Sequence, residues 1–502
     1  LMYGSLARYT ETSSLMAEDL VNRLLSDRDQ DSDRLSGNLG GTYIWMFGKK
    51  KSTLKLSASA AMARNMEDIR ISNETEYLEP PSGESYSQFQ DNRTDRLNLS
   101  LVASLTRRLG KGFFVSPWVR LGQSREKLDR VQGPMANGME PVDSISPAFD
   151  KDYRWLSPAL NIQYNTRISQ FTLGLVTELG SMETSLNKGT YPRADFTYFT
   201  PMFSWDYSRK TGRKINLMYN TSVNTPSVNQ LLPVVNNLNP LYLYYGNPAL
   251  IPEYNHQLMA HWLIFDQFSF TSLMMALSGG YTKNKINWST KVTNELVQIS
   301  TLTNVDWDYQ GRLNLDFSTP IRKLGIKINL DVEEDWNRGQ SIVNDVDNIY
   351  NTFTQRYSFS AGNRKKKLWD VESGVGVVLT HSRYDIQESL NNNYFDLSWF
   401  ADLRFTPGEN WNFNLTADIT GYSEWGEDGS VLVPLLRAEI NYYFLARKRG
   451  VLSLSAHDLL DRNQNVVRIS ELNYMRETRS NTMRRYLMLS FKYRLNKVCL
   501  LY

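Results

Sequence analysis

Four histidines, His256, His261, His381 and His457, are the side chains best suited to hold a metal or to move a proton near neutral pH. None stands in an H-E-x-x-H arrangement, which would set two imidazoles on one helix face with a general base between them. His256 and His261 are separated by an odd number of positions in an extended run, so they project from opposite faces and cannot share an ion. Asp306, Asp308, Asp316, Asp331 and Glu333 fall on polar faces of alternating segments, where a hydrated interior accounts for them without acid–base catalysis. There is no glycine-rich phosphate loop, nucleophile elbow or paired-cysteine cluster, and Cys499 is the only cysteine. The chain reads as a non-enzyme, with no catalytic residues, no metal ligands and no cofactor.

Recognition chemistry is better represented. The run Leu238-Asn239-Pro240-Leu241-Tyr242-Leu243-Tyr244-Tyr245 sets three phenol rings in a long polar segment. Tyr242, Tyr244 and Tyr245 offer stacking surface for a sugar, a siderophore or a peptide. The alternative is that these rings belong to an interfacial belt or pack the segment down.

The elements that position such residues are strands. From Val305 to Ser318 the odd positions are apolar or small and the even positions are all polar. The pattern resumes with Ile326, Ile328, Leu330 and Val332 against Lys327, Asn329, Asp331 and Glu333. The runs Phe395–Phe405 and Trp411–Ile419, joined by Thr406-Pro407-Gly408-Glu409-Asn410, repeat the design. These runs of about 9 to 14 residues exceed the usual globular strand and match the length needed to cross a bilayer with tilt. Aromatic residues concentrate at their ends, as in the interfacial girdles of membrane barrels.

Composition agrees. Aromatic residues make up 12% of the 502, with 28 tyrosines, 21 phenylalanines and 12 tryptophans. Mean hydropathy is −0.45 and no window is apolar enough for a transmembrane helix, but a barrel strand that alternates lipid-facing and lumen-facing residues averages to neutral. Net charge is +3, which points to no nucleic-acid partner. Short basic turns recur at Gly48–Lys51, Arg107–Gly112, Ser208–Lys214, Asn363–Lys367 and Ala446–Gly450. They alternate with longer polar segments at 64–92, 129–148, 223–253, 338–351 and 459–480, which read as loops. Short turns on one side and long loops on the other are the plan of an outer-membrane barrel. Counting them gives about 19–20 strands. Leu15, Leu20, Val21, Leu24 and Leu25 have helical spacing, so Ser14–Ser26 is expected to form a short loop helix.

The stretch Pro226–Glu253 carries a resemblance. Its end, Gly246-Asn247-Pro248-Ala249-Leu250-Ile251-Pro252-Glu253, is similar to an Asn-Pro-x-Leu-x-Pro-Glu element found in the barrels of TonB-dependent receptors, and most closely in the outer-membrane β-barrel family common in Bacteroidota. All five specified positions, Asn247, Pro248, Leu250, Pro252 and Glu253, match. A second stretch, Leu452–Asn463, resembles a late strand of these receptors, with Asp458-Leu459-Leu460-Asp461 at an Asn-Leu-Phe-Asp position, two of four substituted. Arg485–Leu495 looks like the family's terminal strand.

The expected fold is therefore all-β, a large antiparallel transmembrane barrel filling residues 1–502, with a partial strand and loop over 1–34, a long extracellular loop over 223–253 and the terminal strand over 480–495. The resemblance implies a 22-stranded barrel with an N-terminal plug, which this chain does not show, and a cell outer membrane location in a Gram-negative bacterium. It implies nutrient binding and uptake, with outer-membrane lipid around the wall, the TonB system acting through a plug, and a surface lipoprotein over the loops. The alternative is a non-transporting barrel that serves as scaffold within a multiprotein outer-membrane complex. Closure of the sheet is expected because lipid offers no partner to a free strand edge.

Overall fold

The computed structural model describes residues 2–16, 19–48, 52–78, 81–135, 138–386, 391–423, 431–462, 464–470, 475–481 and 483–494. It is a barrel wall of antiparallel strands. Among the described residues, twenty-four strands join in one sheet, and each long strand pairs with its neighbours in sequence. Three of the 24, Gly189–Thr190, Asn236–Asn239 and Tyr242–Tyr244, are short additions to the loops. Ala194–Phe199 and Met202–Lys210 are two parts of one wall strand, since both pair with Ser169–Leu186. Counted this way, the described residues give the wall 20 strands. Among the described residues, Met2–Met16 pairs only with Asp19–Phe47, and Tyr486–Tyr493 only with Gly450–His457.

Register places apolar side chains opposite apolar side chains around the wall. Val375 faces Trp399, which faces Ile419; Val371 faces Leu403, which faces Leu415. Leu454 stands between Ile440 and Leu489. Leu487, Leu489 and Phe491 on Tyr486–Tyr493 are 72%, 69% and 64% exposed, which suits side chains that meet lipid. The opposite face carries ions: Arg312 meets Asp335 at 2.5 Å, and Arg356 meets Asp335 at 2.7 Å and Glu333 at 3.2 Å. Asp308 accepts the Tyr350 hydroxyl at 2.8 Å. These carboxylates are held by arginine and tyrosine across the lumen face.

Two aromatic levels bound the apolar band. At the short-turn end the rings Trp369, Phe405, Phe413, Trp411, Tyr442, Phe444 and Phe491 touch in succession, with centroids 4.2 Å apart at Trp369–Phe405 and 6.0 Å apart at Phe444–Phe491. At the other end Tyr254, His256, Tyr281 and Tyr309 touch, at 4.4, 5.5 and 5.1 Å. Amphipathic rings favour the level where apolar core meets head groups. His256 belongs to this belt, its Nδ1 2.7 Å from the Tyr219 hydroxyl.

Turns at the basic end are tight. Gly112 has φ +75°, and a Cβ there would lie 2.1 Å from the Asn165 carbonyl oxygen, so only glycine closes this turn. Lys49, Lys50 and Lys51 lie outside the described residues.

Several strands run far beyond the expected 9 to 14 residues. Asp19–Phe47 has 29, Ser52–Leu78 has 27 and Pro81–Arg108 has 28. At about 3.3 Å per residue such a strand is roughly three times as long as the hydrocarbon core is thick. The segment 64–92 is thus not a loop but a hairpin of continuing strands. The same holds for 338–351, where the strands meet at Asn344 and Asp345, with φ of 51° and 64°. Strand Phe113–Pro134 covers the start of 129–148, and the region 459–480 holds a separate two-stranded ladder, Gln464–Ser470 with Met475–Asn481. The physical reason is common to all four. Above the lipid a strand has no apolar outer face, so its alternation disappears from the sequence while its ladder persists.

The helix expected over Ser14–Ser26 is not formed, and 1–34 is not a partial strand with a loop. Met2–Met16 and Asp19–Phe47 form a hairpin instead. Leu24 pairs with Thr12 on one side and Thr75 on the other, and Asn22, Leu24 and Ser26 all face inward and are buried. Two full ladders outweigh a local 3.6-residue spacing. The last wall strand spans Tyr486–Tyr493.

Candidate functional site

The segment between strands Arg213–Asn224 and Glu253–Asp266 carries apolar residues as deeply buried as any in the wall. Val228, Leu231, Leu232 and Leu250 are at most 2% exposed and pack with Leu128, Phe149, Ile286 and Leu302 of the inner wall. Leu238 joins Ile69 and Ile71 in a second cluster. Residues 225–252 therefore fold back into the mouth of the barrel, because their leucines have no other apolar surface to cover them.

Each end of this segment is fastened. At its start the Lys151 ammonium donates to the Pro226 carbonyl at 2.7 Å and to Thr225 Oγ1 at 3.1 Å, and lies 3.7 Å from Glu126 Oε1. Glu126 Oε2 accepts the Val228 N–H at 3.4 Å. The turn that follows, Val228–Leu231, is closed by Gln230 Oε1, which accepts the Ser227 N–H at 2.9 Å. The two limbs of the segment then clasp each other: Gly246 N–H donates to the Leu232 carbonyl and Asn247 N–H to the Gln230 carbonyl, both at 2.7 Å. A Cβ on Gly246 would lie 2.5 Å from the Gln230 oxygen, so this approach requires glycine.

The Asn247–Glu253 element fastens the other end. Asn247 Nδ2 donates to the Leu302 carbonyl at 3.0 Å, while its Oδ1 accepts the Ala249 N–H at 2.9 Å. Pro248 sits in the turn closed by Leu250 N–H on the Asn247 carbonyl. Leu250 fills the core. The side chain of Asn304 accepts the Ile251 N–H at 2.9 Å and donates to the Ile251 carbonyl at 3.0 Å. Pro252 is buried, and its carbonyl accepts the Tyr198 hydroxyl at 3.3 Å. Glu253 accepts the Ile286 N–H at 2.9 Å and pairs with Lys285 at 3.0 Å. The element is a clamp onto strands Thr271–Val292 and Gln298–Ile321.

Between these anchors the segment crosses the mouth. Asn73 Nδ2 donates to the Leu238 carbonyl at 2.8 Å and Gln132 Nε2 to Asn237 Oδ1 at 2.6 Å, while Tyr242–Tyr244 pairs in parallel with Gln298–Ser300. Strands far apart in the sheet are thus bridged by one span. Beneath it lies a cleft of about 480 Å³. Tyr242, Tyr244 and Trp288 form one side, with Trp288 edge-on to both tyrosines at 6.4 and 5.5 Å. Asn65, Gln90, Asn92 and Asn229 supply amides, and Arg28, Glu67 and Arg130 supply charge. The Tyr244 hydroxyl donates to the Asn229 carbonyl at 2.9 Å, and burial pushes its pKa up to about 12. Burial also pushes Lys151 and Arg130 below their usual values, the Lys151 effect being offset in part by Glu126.

Of the three expected recognition tyrosines, the structure brings Tyr242 and Tyr244 to the cleft and leaves Tyr245 outside it, half in solvent with its N–H on the Ser300 carbonyl. Its neighbour Gly246 must turn into the clasp, which directs Tyr245 away. The ring-packing alternative holds for Tyr244 as well, since its hydroxyl ties the segment down. Trp288, Arg130, Lys151 and Asn304 were not singled out by sequence. Among the described residues, no group of three or more His, Cys, Asp or Glu is placed to hold a metal ion.

The model of the outer membrane protein beta-barrel family matches residues 45–363 and 325–493, which together take in most of the chain. The protein belongs to the outer membrane protein beta-barrel family. Membership places the wall in the outer membrane. No curated protein sequence matches this family member significantly. Among solved structures it is similar to the ferric preacinetobactin receptor BauA from Acinetobacter baumannii, at 11% identity and TM-score 0.42, covering 98% of this chain and 72% of that one. It is similar to the copper transporter OprC at 9% identity and TM-score 0.42, covering 92% and 74%. The siderophore receptor PirA from Pseudomonas aeruginosa gives 12% identity and TM-score 0.39, covering 84% and 74%.

Proposed function

We propose that this barrel is an outer-membrane receptor that binds a nutrient at its outer mouth and passes it inward through the lumen. The observation that carries this reading is the fold of residues 225–252: a leucine-packed span, clamped at both ends, that covers a cleft lined by rings, amides and guanidinium groups. An open diffusion pore needs no such cover, whereas a receptor needs a shaped site with few convergent polar groups. Tyr242 and Tyr244 are its aromatic contacts.

The finer parts of the reading rest on the likeness of Asn247–Glu253 to the element of TonB-dependent receptors. They are energy supplied through the TonB system by way of a plug, a surface lipoprotein over the mouth, a 22-stranded complete wall, and a Bacteroidota source. The test is a growth comparison on single scarce nutrients between a strain lacking the gene and the same strain carrying it on a plasmid. The receptor reading expects loss of growth on at least one nutrient, restored by the intact gene and not by a version with 225–252 replaced by a glycine–serine linker. Equal growth of all strains on every nutrient overturns it.

A further inference from the structure

The short turns at one end of the wall carry one sign of charge. Those at 107–112, 208–214, 322–325, 364–368 and 445–449 each bring exposed arginine or lysine to that end. Among the described residues, the carboxylates in or within two positions of the short turns are Asp266, Asp370 and Glu409. Two of these are already engaged. Asp370 pairs with Lys366 at 2.8 Å, and Asp266 accepts the Ser269 hydroxyl at 2.6 Å and the Phe268 N–H at 3.0 Å. The whole chain carries only +3, so a generally basic surface does not account for the rim. Acid stands at the opposite end, as at the exposed Glu74, Glu76 and Glu84 beside the tip of the hairpin that joins Ser52–Leu78 to Pro81–Arg108.

Turn geometry does not account for the bias. Arg447 and Lys448 have φ of 61° and 54°, in the left-handed region that glycine enters without strain, yet both are basic. Position accounts for it better. Trp369 belongs to the aromatic level that marks where apolar core meets head groups, and Lys367 stands two residues from it. Two residues span at most about 7 Å, which is about the depth of one head-group layer. Arg107 and Arg213 also continue lipid-facing rows, Arg107 after Leu101 and Leu105, and Arg213 beside Ile215 and Leu217. Their stems lie along the wall and their guanidinium groups emerge at the level of the phosphates.

We propose that this basic rim binds anionic phospholipid, with lipid phosphates lying against Arg107, Arg213, Lys214 and the basic run 364–367. Each cation close to an anionic membrane surface adds to the attraction, which fades within a Debye length of about 8–10 Å at ordinary salt. Short turns in outer-membrane barrels face the periplasm, so the leaflet they meet is built of glycerophospholipid. An acidic periplasmic protein is the poorer fit, because the rim lies at the head-group level and not beyond it. The proposal goes beyond the receptor reading and does not depend on what the mouth binds.

The test is electron spin resonance of the full chain in phosphatidylcholine vesicles doped with spin-labelled phosphatidylglycerol or spin-labelled phosphatidylcholine. The immobilised fraction of each label gives its relative association with the wall. Phosphatidylglycerol should associate at least twofold more strongly than phosphatidylcholine. The preference should vanish between about 0.01 M and about 1 M salt, as the Debye length shrinks from about 30 Å to about 3 Å. Arg107→Gln, Arg213→Gln, Lys214→Gln, Lys365→Gln and Lys367→Gln combined should at least halve the excess. Glu74→Gln, Glu76→Gln and Glu84→Gln combined, at the far end, should leave it unchanged. If the first variant fails to insert, the salt titration of the unaltered chain decides. Equal association of the two labels with the unaltered chain overturns the proposal, as does a preference that persists at high salt or survives the rim variant. Retention of the chain on poly-glutamate with no phosphatidylglycerol preference overturns it too, and assigns the rim to an acidic protein.

Discussion

Lys151 and Glu126 meet inside the barrel mouth, Nζ to Oε1 at 3.7 Å, with side chains only 1% and 9% exposed. Both also hold residues 225–252, Lys151 through the Pro226 carbonyl and Glu126 through the Val228 N–H. Arg96 Nε also pairs with Glu126 Oε1, at 3.3 Å, so Glu126 keeps a cation when Lys151 is removed, and the loss should fall below the roughly 3–5 kcal/mol of a fully stranded buried charge. Lys151→Met should therefore lower the temperature at which the folded band is lost on heating in detergent, and should open 225–252 to protease. Glu126→Leu alone, which leaves the buried Lys151 ammonium without a counter-ion, should cost more than Lys151→Met, and adding Lys151→Met to it should recover much of the thermal loss.

Tyr244 gives a pH dependence with a definite sign. Its folded pKa, pushed up to about 12, exceeds the ordinary phenol value of 10.0. Between these values the folded state holds a proton that the unfolded chain has released, so its contribution is complete below pH 10 and is lost as pH rises toward 12. The heat-modification midpoint should fall over that window, and fall less in Tyr244→Phe. An unchanged pH profile in the variant would show that the phenol is not held as described.

The clamp at Asn304 is neutral and should respond differently. Asn304→Ala removes both bonds to Ile251, each of net worth about 0.5–1.5 kcal/mol. Protease cleavage within 225–252 should rise severalfold while the wall keeps its heat stability. Glu253→Gln should act in the same direction, since it weakens the tie to Lys285 and retains an acceptor for Ile286.

The lipid face makes a prediction about assembly. Trp399 and Leu415 lie on outward ladders, whereas Asn414 pairs with Arg404 on the lumen side. Leu415→Arg should cost about 2–4 kcal/mol if the site lies near the midplane, and should reduce the folded fraction recovered in liposomes. Asn414→Arg should be tolerated. Equal effects at the two neighbours would contradict the assigned faces.

The wall was legible wherever lipid enforces period two. Trp399, Leu403 and Leu415 announce a strand face because one side must be apolar over its whole membrane depth. The long extensions were not legible: in Pro81–Arg108 the outer part mixes Phe89 and Gln90, both buried, on adjacent positions. The cleft was half legible. Tyr242 and Tyr244 stand out as rings in a polar segment, and Asn247–Glu253 stands out as a motif. Arg130 does not, because Glu126, Leu128, Arg130 and Gln132 share one inward face that mixes charge, amide and leucine. Their common burial depends on residues 225–252 folding over them, a contact far away in sequence. The helical spacing at Leu20–Leu25 misled for the same reason, since the ladders that override it come from two other strands.

The central claim is that residues 225–252 are packed into the mouth as a fixed cover and are not a free outer arm. Cysteine labelling in intact cells tests it most directly. In a Cys499→Ser background, Leu231→Cys and Tyr245→Cys are exposed separately to a membrane-impermeant maleimide. Leu231 is 0% exposed and Tyr245 is 36% exposed, so position 245 should label readily and position 231 should remain unlabelled until the protein is unfolded. Equal, rapid labelling at both positions would contradict the account.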